Sequence, residues 1–224
     1  MRLSGILGHV LDVTGADVLY DRPFTPESLA ADFVVGAGDW RVEDGWLVGR
    51  RFAEAGGFAF TRSLFPGDLL VRFTAALVPP CDHDLNFCFR SEGWDAAADD
   101  AGRAYIGGLS AWYAGKSGIE RYPGDGVQGM TSLLRIEPGV PVRVEAGIVG
   151  DRLFLFVDGR LVLDLRDPDP LRDPGCGRVG LGVYFSEARF RDLAILRPRV
   201  LREDARYTGP DRVERTEREE DGHG

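Results

Sequence analysis

The chain has 224 residues, a formal net charge of −9 and three cysteines. A chain of this length buries about 70% of its unfolded surface, so the fold requires neither a metal ion nor a disulfide. The acidic balance argues against nucleic acid as a partner, because phosphate binding needs clustered cations. No apolar run approaches the ~18 residues of a membrane span, so we expect no membrane partner either.

The cysteines, Cys81, Cys88 and Cys176, are odd in number and lack CxxC spacing. This pattern predicts neither a zinc site nor a disulfide framework, so we expect no cofactor, with a structural calcium ion as the alternative. The first apolar run is interrupted at Gly8 and His9 and does not resemble a signal peptide. We therefore expect a cytoplasmic protein, and the sequence leaves its oligomeric state open.

The first half of the chain is typical of short β-strands with one helical turn. Thr25 and Pro26 have the residue types of an N-cap and an N1 position, and Asp39–Gly49 is predicted to be a hairpin that turns at Asp44 and Gly45. Other apolar or alternating runs predict strands at Val18–Asp21, Phe33–Val35, Phe58–Thr61, Asp68–Leu77 and Leu85–Arg90.

The last of these strands is the most regular. Its alternation places Leu85, Phe87 and Phe89 on one face, and Asn86, Cys88 and Arg90 on the other. A long loop, Gly93–Arg103, follows and has the length of a segment that covers a binding face. Tyr105–Tyr113 is then predicted to be a strand with two glycines, which usually mark a bend or the close approach of a ligand.

The second half continues in the same way. Asp158 and Gly159 lie between two apolar runs and predict a tight hairpin turn. Together the strands indicate an all-β, two-sheet antiparallel jelly-roll sandwich over residues 18–200, with an N-terminal extension (1–17) and a disordered acidic C-terminal tail (201–224). The remaining strands are predicted at Leu133–Ile136, Val142–Ile148, Arg152–Asp164, Gly177–Ser186 and Ala188–Leu196.

Three of these segments resemble the concanavalin A-like lectin/glucanase superfamily, and within it the 3-keto-disaccharide hydrolase-like and laminin-G-like bacterial domains. They are DWRVEDGWLVG (Asp39–Gly49), LNFCFRSEGW (Leu85–Trp94) and GRVGLGVYFSEARFRDLAI (Gly177–Ile195), with Asp192 where asparagine is usual. The resemblance implies a jelly roll whose concave sheet is used for sugars, and therefore an oligosaccharide or glycoside as partner. The glucanase ExDxxE strand is absent, so the resemblance does not settle catalysis.

The candidate site residues are polar and aromatic groups near the long loop. Asn86 and Arg90 would offer an amide and a guanidinium to sugar hydroxyls or to a uronate carboxylate, whereas Arg90 and Glu92 are alternatively a surface ion pair. Aromatic rings stack on the apolar faces of sugars or, alternatively, pack in the core. The candidates for stacking are Trp94, Tyr105, Trp112 and Tyr113.

Charged residues on either side of these strands complete the set. Lys116, Glu120 and Arg121 place a carboxylate between two cations, which indicates an acid, a base or a substrate clamp, or alternatively a charged turn. His83 lies between Asp82 and Asp84 and is a candidate general base. Three adjacent residues cannot all face one ion, so we assign no metal ligands and keep a solvated loop as the alternative.

Three functions remain open from the sequence, and the first is a carbohydrate-active enzyme, either a hydrolase or a lyase. A hydrolase would use Glu92 and Glu120 as its acid/base pair, about 5–10 Å apart across the sugar. A lyase would use Arg90 and Asn86 to neutralise charge, and Tyr105 or His83 to transfer a proton. The other two functions are a non-catalytic carbohydrate-binding module and a structural or partner-binding sandwich.

Overall fold

The computed structural model describes residues 2–6, 9–53, 55–124 and 126–202. These residues form eighteen strands and two short helices. No helix in this part of the chain is long and apolar enough to cross a membrane. In chain order the elements are β1 (Arg2–Ile6), β2 (His9–Asp21), α1 (Pro26–Asp32), β3 (Phe33–Val35), β4 (Asp39–Glu43), β5 (Trp46–Arg51), β6 (Gly57–Thr61), β7 (Leu69–Leu77), β8 (Leu85–Ser91), β9 (Trp94–Asp95), β10 (Asp100–Ala101), β11 (Ala104–Leu109), α2 (Trp112–Gly115), β12 (Ser117–Tyr122), β13 (Gln128–Thr131), β14 (Val142–Val149), β15 (Arg152–Val157), β16 (Arg160–Arg166), β17 (Arg178–Val183) and β18 (Ser186–Arg202).

The strands form two antiparallel sheets packed face to face, which confirms the predicted sandwich. Sheet A has the order β1-β2-β18-β7-β14-β15-β16, and the β4–β5 hairpin joins it through β18. Sheet B has the order β13-β12-β11-β8-β17-β6-β3. A small two-stranded ribbon, β9–β10, lies outside both sheets.

The core between the sheets is built by alternation along the strands. Leu85, Phe87 and Phe89 of β8 face inward and are completely buried, as predicted. Phe73 of sheet A packs edge-on against Phe87 of sheet B, with ring centroids 5.4 Å apart. Burial of side chains of this size contributes about 1.5–3 kcal/mol each, so this layer stabilises the sandwich.

The N-terminal residues belong to the sandwich. β2 runs from His9 to Asp21 and pairs with β18, so this strand extends across the boundary expected between residues 17 and 18. The reason is that Leu3 and Leu11 pack against Phe154 and Phe156 and cover the outer surface of sheet A. At the other end β18 continues to Arg202, and the rest of the predicted tail lies outside the described residues.

Two local predictions are corrected between residues 105 and 136. The strand predicted at Tyr105–Tyr113 ends at Leu109, because Ser110 adopts a φ of 49° and α2 follows. The strand predicted at Leu133–Ile136 is wrong. Leu133 is 96% exposed, and the strand that adds to the sheet edge is β13. β12 forms where a charged turn was the alternative: Ile119 is buried in the core, and the adjacent Glu120 lies on the open face of the sheet.

Candidate functional site

On the open face of sheet B, three residues in the row of Asn86 are glycines, and this row is called the floor. Asn86 of β8 pairs with Gly182 of β17 on one side and with Gly108 of β11 on the other, and Gly118 of β12 comes next in the row. A Cβ atom on Gly108 would lie 2.7 Å from Asn86 Oδ1 and 2.9 Å from the Trp112 ring. Glycine at this position therefore lets the ring and the amide approach the floor closely.

A groove with a volume of about 510 Å³ lies on this face, and Asn86 is the residue of the row that lines it. Asn86 is only 7% exposed and is the polar side chain of the floor row, as predicted. Trp112, at the start of α2, is half-buried and supplies an aromatic wall. The other groove residues with ionisable side chains are Asp84, Asp100, Glu120, Tyr122 and Tyr184.

The long loop after β8 folds onto the same face of sheet B. Trp94 packs on an apolar patch that includes Phe58 and Phe60, and its ring leaves no space for a Cβ atom on Gly36. The guanidinium of Arg51 lies 5.7 Å from the Trp94 ring centroid. Trp94 is therefore a structural support for the loop, and Trp112 is the ring that lines the groove.

Asp84 is the most strongly perturbed carboxyl group in the groove. Burial raises its pKa to about 6, against the opposing effects of nearby His83 and of a hydrogen bond with Asn86. The backbone of Asp84 is fixed on both sides: its N–H donates to Ser110 O, and its carbonyl accepts from Ser186 Oγ. Its side chain is thus positioned by the fold next to Asn86.

Two further carboxylates lie at the other side of the groove. Tyr122 donates its hydroxyl to Asp100 Oδ2, and this hydrogen bond is the main reason that the pKa of Tyr122 rises to about 12. Glu120 Oε2 accepts from Gln128 Nε2 at 2.9 Å. Both interactions leave the carboxylates at the groove surface, where they can accept hydrogen bonds from a ligand.

Arg90 does not share the open face with Asn86, so that prediction is wrong. A β-bulge between β8 and β17 shifts the register, and Arg90 adopts a φ of 45°. Its guanidinium turns into the end of the sandwich and donates to Leu171 O at 2.8 Å and to Gly67 O at 2.9 Å. The side chain is 5% exposed and fastens two loops together.

Tyr105 and Arg121 belong to the same end of the sandwich and do not line the groove. Tyr105 is 0% exposed, donates to Asp167 Oδ2 at 2.6 Å and accepts from the N–H of Leu171 at 3.0 Å. Burial and the Asp167 hydrogen bond raise the pKa of Tyr105. Arg121 forms an ion pair with the buried Asp167 at 3.0 Å. The expectation that these residues transfer a proton or bind ligand on the open face is therefore not met.

Glu92 lies near the far end of β8. It accepts two hydrogen bonds from the Arg103 guanidinium, at 2.6 and 3.0 Å, and these lower its pKa. Arg103 also contacts Asp173 at 2.8 Å. Glu92 is thus held in an ion-pair cluster away from the groove, and the acid/base pair expected from Glu92 and Glu120 does not face a common space.

The predicted residues His83 and Lys116 are not among the residues that line the groove. His83 Nδ1 lies 2.7 Å from Asp82 Oδ1, and its Nε2 lies 4.0 Å from Asp84 Oδ2. Lys116 is the C-cap residue of α2, and its backbone N–H donates to Trp112 O. The side chain of Tyr113 is not among those that the structure describes. Within the described part of the chain, no group of three or more His, Cys, Asp or Glu side chains could hold a metal ion.

Comparison with known proteins identifies the fold. No family model matches the chain, and no curated protein matches its sequence. Solved structures do match: the carbohydrate-binding module CBM66 from Bacillus subtilis has a TM-score of 0.57 at 17% identity, over 74% of this chain and 95% of that one. A protein of unknown function with a galectin-like fold, also from Bacillus subtilis, has a TM-score of 0.60 at 15% identity, over 82% and 98%.

A putative glycosyl hydrolase from Parabacteroides distasonis has a TM-score of 0.52 at 13% identity, over 80% of this chain and 99% of that one. The shared architecture is a concanavalin A-like, galectin-like β-sandwich. At these identities the likeness defines the fold, and the function has to be argued from the groove.

Proposed function

We propose that this protein binds an oligosaccharide or glycoside in the groove on the open face of sheet B. The observation that carries the proposal is a groove in which Asn86 and the Trp112 ring lie close together, with carboxylates at its edges. A sugar presents an apolar C–H face that stacks on an aromatic ring, and hydroxyls that donate to carboxylates and amides. The groove offers both kinds of contact within one space.

The comparisons support this proposal through the fold. Two of the matching structures are described as a carbohydrate-binding module and a putative glycosyl hydrolase. This likeness makes sugars the first ligands to test, and the chemistry of the groove is the reason to test them at this site. The non-catalytic binding function is the better supported one, because Glu92 is paired with Arg103 outside the groove.

The test is isothermal titration calorimetry with tetrasaccharides of glucose, mannose, galactose, N-acetylglucosamine, glucosamine and galacturonate. Trp112→Ala removes the aromatic wall and is expected to weaken binding about tenfold or more, since about 1.4 kcal/mol corresponds to a factor of ten. Trp46→Ala is the matched control, because Trp46 lies in sheet A against Arg189 and Arg191. Equal affinities of both variants and the wild type, or no binding by any tetrasaccharide, would refute the proposal.

Hydrolysis is a second candidate, favoured by the groove carboxyl groups. Asp84, with a pKa of about 6, suits a proton donor near neutral pH, and Glu120 lines the same groove. The experiment is release of reducing ends from the same tetrasaccharides: Asp84→Asn is expected to abolish turnover and to preserve binding of neutral sugars. A lyase is not proposed, because Arg90 and Tyr105 are buried away from the groove.

A further inference from the structure

We propose that the groove selects sugars that carry a free, positively charged amino group. This inference rests on the proposed function, and names the ligand class of the same site. The supporting observation is the charge of the lining: Asp84, Asp100 and Glu120 border the groove, and none of its described lining residues is a lysine or an arginine. The carboxylates are not themselves the site; they set the specificity of a groove defined by its floor and its aromatic wall.

The positions of the carboxylates place them around a bound ligand. Glu120 on β12 and Asn86 on β8 are separated by β11, which corresponds to about 10 Å at the usual strand spacing. Asp84 lies two residues before Asn86 along the chain, and Asp100 is positioned by its hydrogen bond with Tyr122. A sugar lying on the floor would therefore meet a carboxylate on more than one side.

The nearest described cations do not compensate for these charges inside the groove. Arg51 forms an ion pair with Asp99 at 3.0 Å and lies over the Trp94 ring. Arg121, on the same strand as Glu120, is directed to the buried Asp167. His83 is hydrogen-bonded to Asp82 and lines a separate hollow with Phe185 and Glu187; its Nε2 lies 4.0 Å from Asp84 Oδ2 and offsets only part of the charge of that carboxylate when His83 is protonated.

The acidic lining is expected to make the affinity of the groove depend on the charge of the ligand. A uronate would bring a carboxylate beside three others, and like charges in a partly desolvated site repel each other. An ammonium group would instead form charge-assisted hydrogen bonds with these carboxylates, which are about twice as strong as neutral ones. Burial removes water from the Asp84 carboxylate, and a hydrogen bond with an ammonium group would replace part of the lost hydration.

The experiment compares three tetrasaccharide probes by calorimetry at pH 7: tetra-glucosamine, its fully N-acetylated form with the same linkage, and tetragalacturonate. We expect tetra-glucosamine to bind at least tenfold more tightly than the N-acetylated form and tetragalacturonate not to bind. The preference is expected to shrink in 0.5 M salt, because salt screens partly exposed charges. Comparable or tighter binding of the N-acetylated or uronate probe, abolished by Trp112→Ala, would overturn this inference and leave the proposed function intact.

Two variants separate site recognition from general attraction to an acidic protein. Asp100→Asn combined with Glu120→Gln is expected to reduce the preference for the amine to about threefold or less, because the two amides carry no charge. Asp44→Asn, at an exposed turn of the β4–β5 hairpin, is the matched control and should leave the preference unchanged. A preference for the amine that survives Trp112→Ala, or that Asp44→Asn lowers equally, would show binding outside the groove and overturn the inference. Absence of Trp112-dependent binding by every probe would instead refute the proposed function.

Discussion

The hydroxyl group of Tyr105 has a structural function that can be tested by removing it. It donates to Asp167 Oδ2 and accepts from the N–H of Leu171, so it fastens the loop between β16 and β17 to sheet B. Tyr105→Phe preserves the ring, which packs against Phe89 with centroids 5.5 Å apart. The change therefore isolates two buried hydrogen bonds.

The expected loss of stability depends on whether the former hydrogen-bond partners of the hydroxyl find other partners. The Leu171 N–H loses its acceptor in a buried environment, whereas Asp167 retains Arg121 and the N–H of Asp169. A buried polar group without a partner costs about 1–3 kcal/mol. For a domain of this size about 1 kcal/mol lowers the melting temperature by about 2–4 °C, so we expect a decrease of about 2–12 °C.

The assay is urea unfolding followed by circular dichroism, with sugar binding measured in parallel. The midpoint should fall at constant m-value, and the affinity should not change, because Tyr105 faces away from the groove. Tyr122→Phe is the control: its hydroxyl bonds Asp100 on the half-exposed groove side, so we expect a loss below about 1 kcal/mol. Wild-type stability of Tyr105→Phe combined with impaired sugar binding would refute the structural function.

Three further predictions concern single residues. Burial raises the pKa of Asp84 from about 3.9 in the unfolded chain to about 6, so its ionised form destabilises the fold above pH ~6 and this penalty is absent below pH ~4. Its side chain is 18% exposed, and Asp84→Asn should therefore raise the free energy of unfolding by about 2–3 kcal/mol at pH 8 and leave it unchanged at pH 4; equal gains at both pH values would contradict the assignment. Arg90→Met should lower stability by about 1–3 kcal/mol without weakening sugar binding, since its donors contact only backbone carbonyls; weaker binding in calorimetry would place Arg90 in the site. Leu11→Ala should cost about 2–5 kcal/mol in urea unfolding, because Leu11 is fully buried; a neutral result would show that the N-terminal hairpin is dispensable.

Alternation along the strands predicted much of the fold and part of the site. It placed Leu85, Phe87 and Phe89 in the core and Asn86 on the open face. It failed at Arg90, because a bulge of one residue reverses the face of every side chain after it. A bulge depends on the partner strand, and the local sequence LNFCFRSE contains no signal for it.

The other site residues depend on contacts between distant strands. Tyr105 pairs with Phe89, so its place in the core follows once the register of β11 against β8 is known. Asp100 reaches the groove only because the loop after β8 folds over sheet B, where Trp94 and Ala101 pack on the apolar patch. Sequence spacing gives neither the register nor this fold-over, and Asp84 and Asp100 were therefore not among the predicted site residues.

The location of the binding site can be tested most directly by ¹H–¹⁵N NMR, because two of the four tryptophans lie on the open side of sheet B and the other two lie in sheet A. Trp112 lines the groove and Trp94 supports its loop, whereas Trp40 and Trp46 belong to sheet A. On titration with the tightest-binding tetrasaccharide, the Trp112 indole signal and the Asn86 side-chain amide are expected to shift, and the Trp40 and Trp46 indoles are not. Saturable shifts at Trp46 with an unchanged Trp112 would contradict the assignment of the groove.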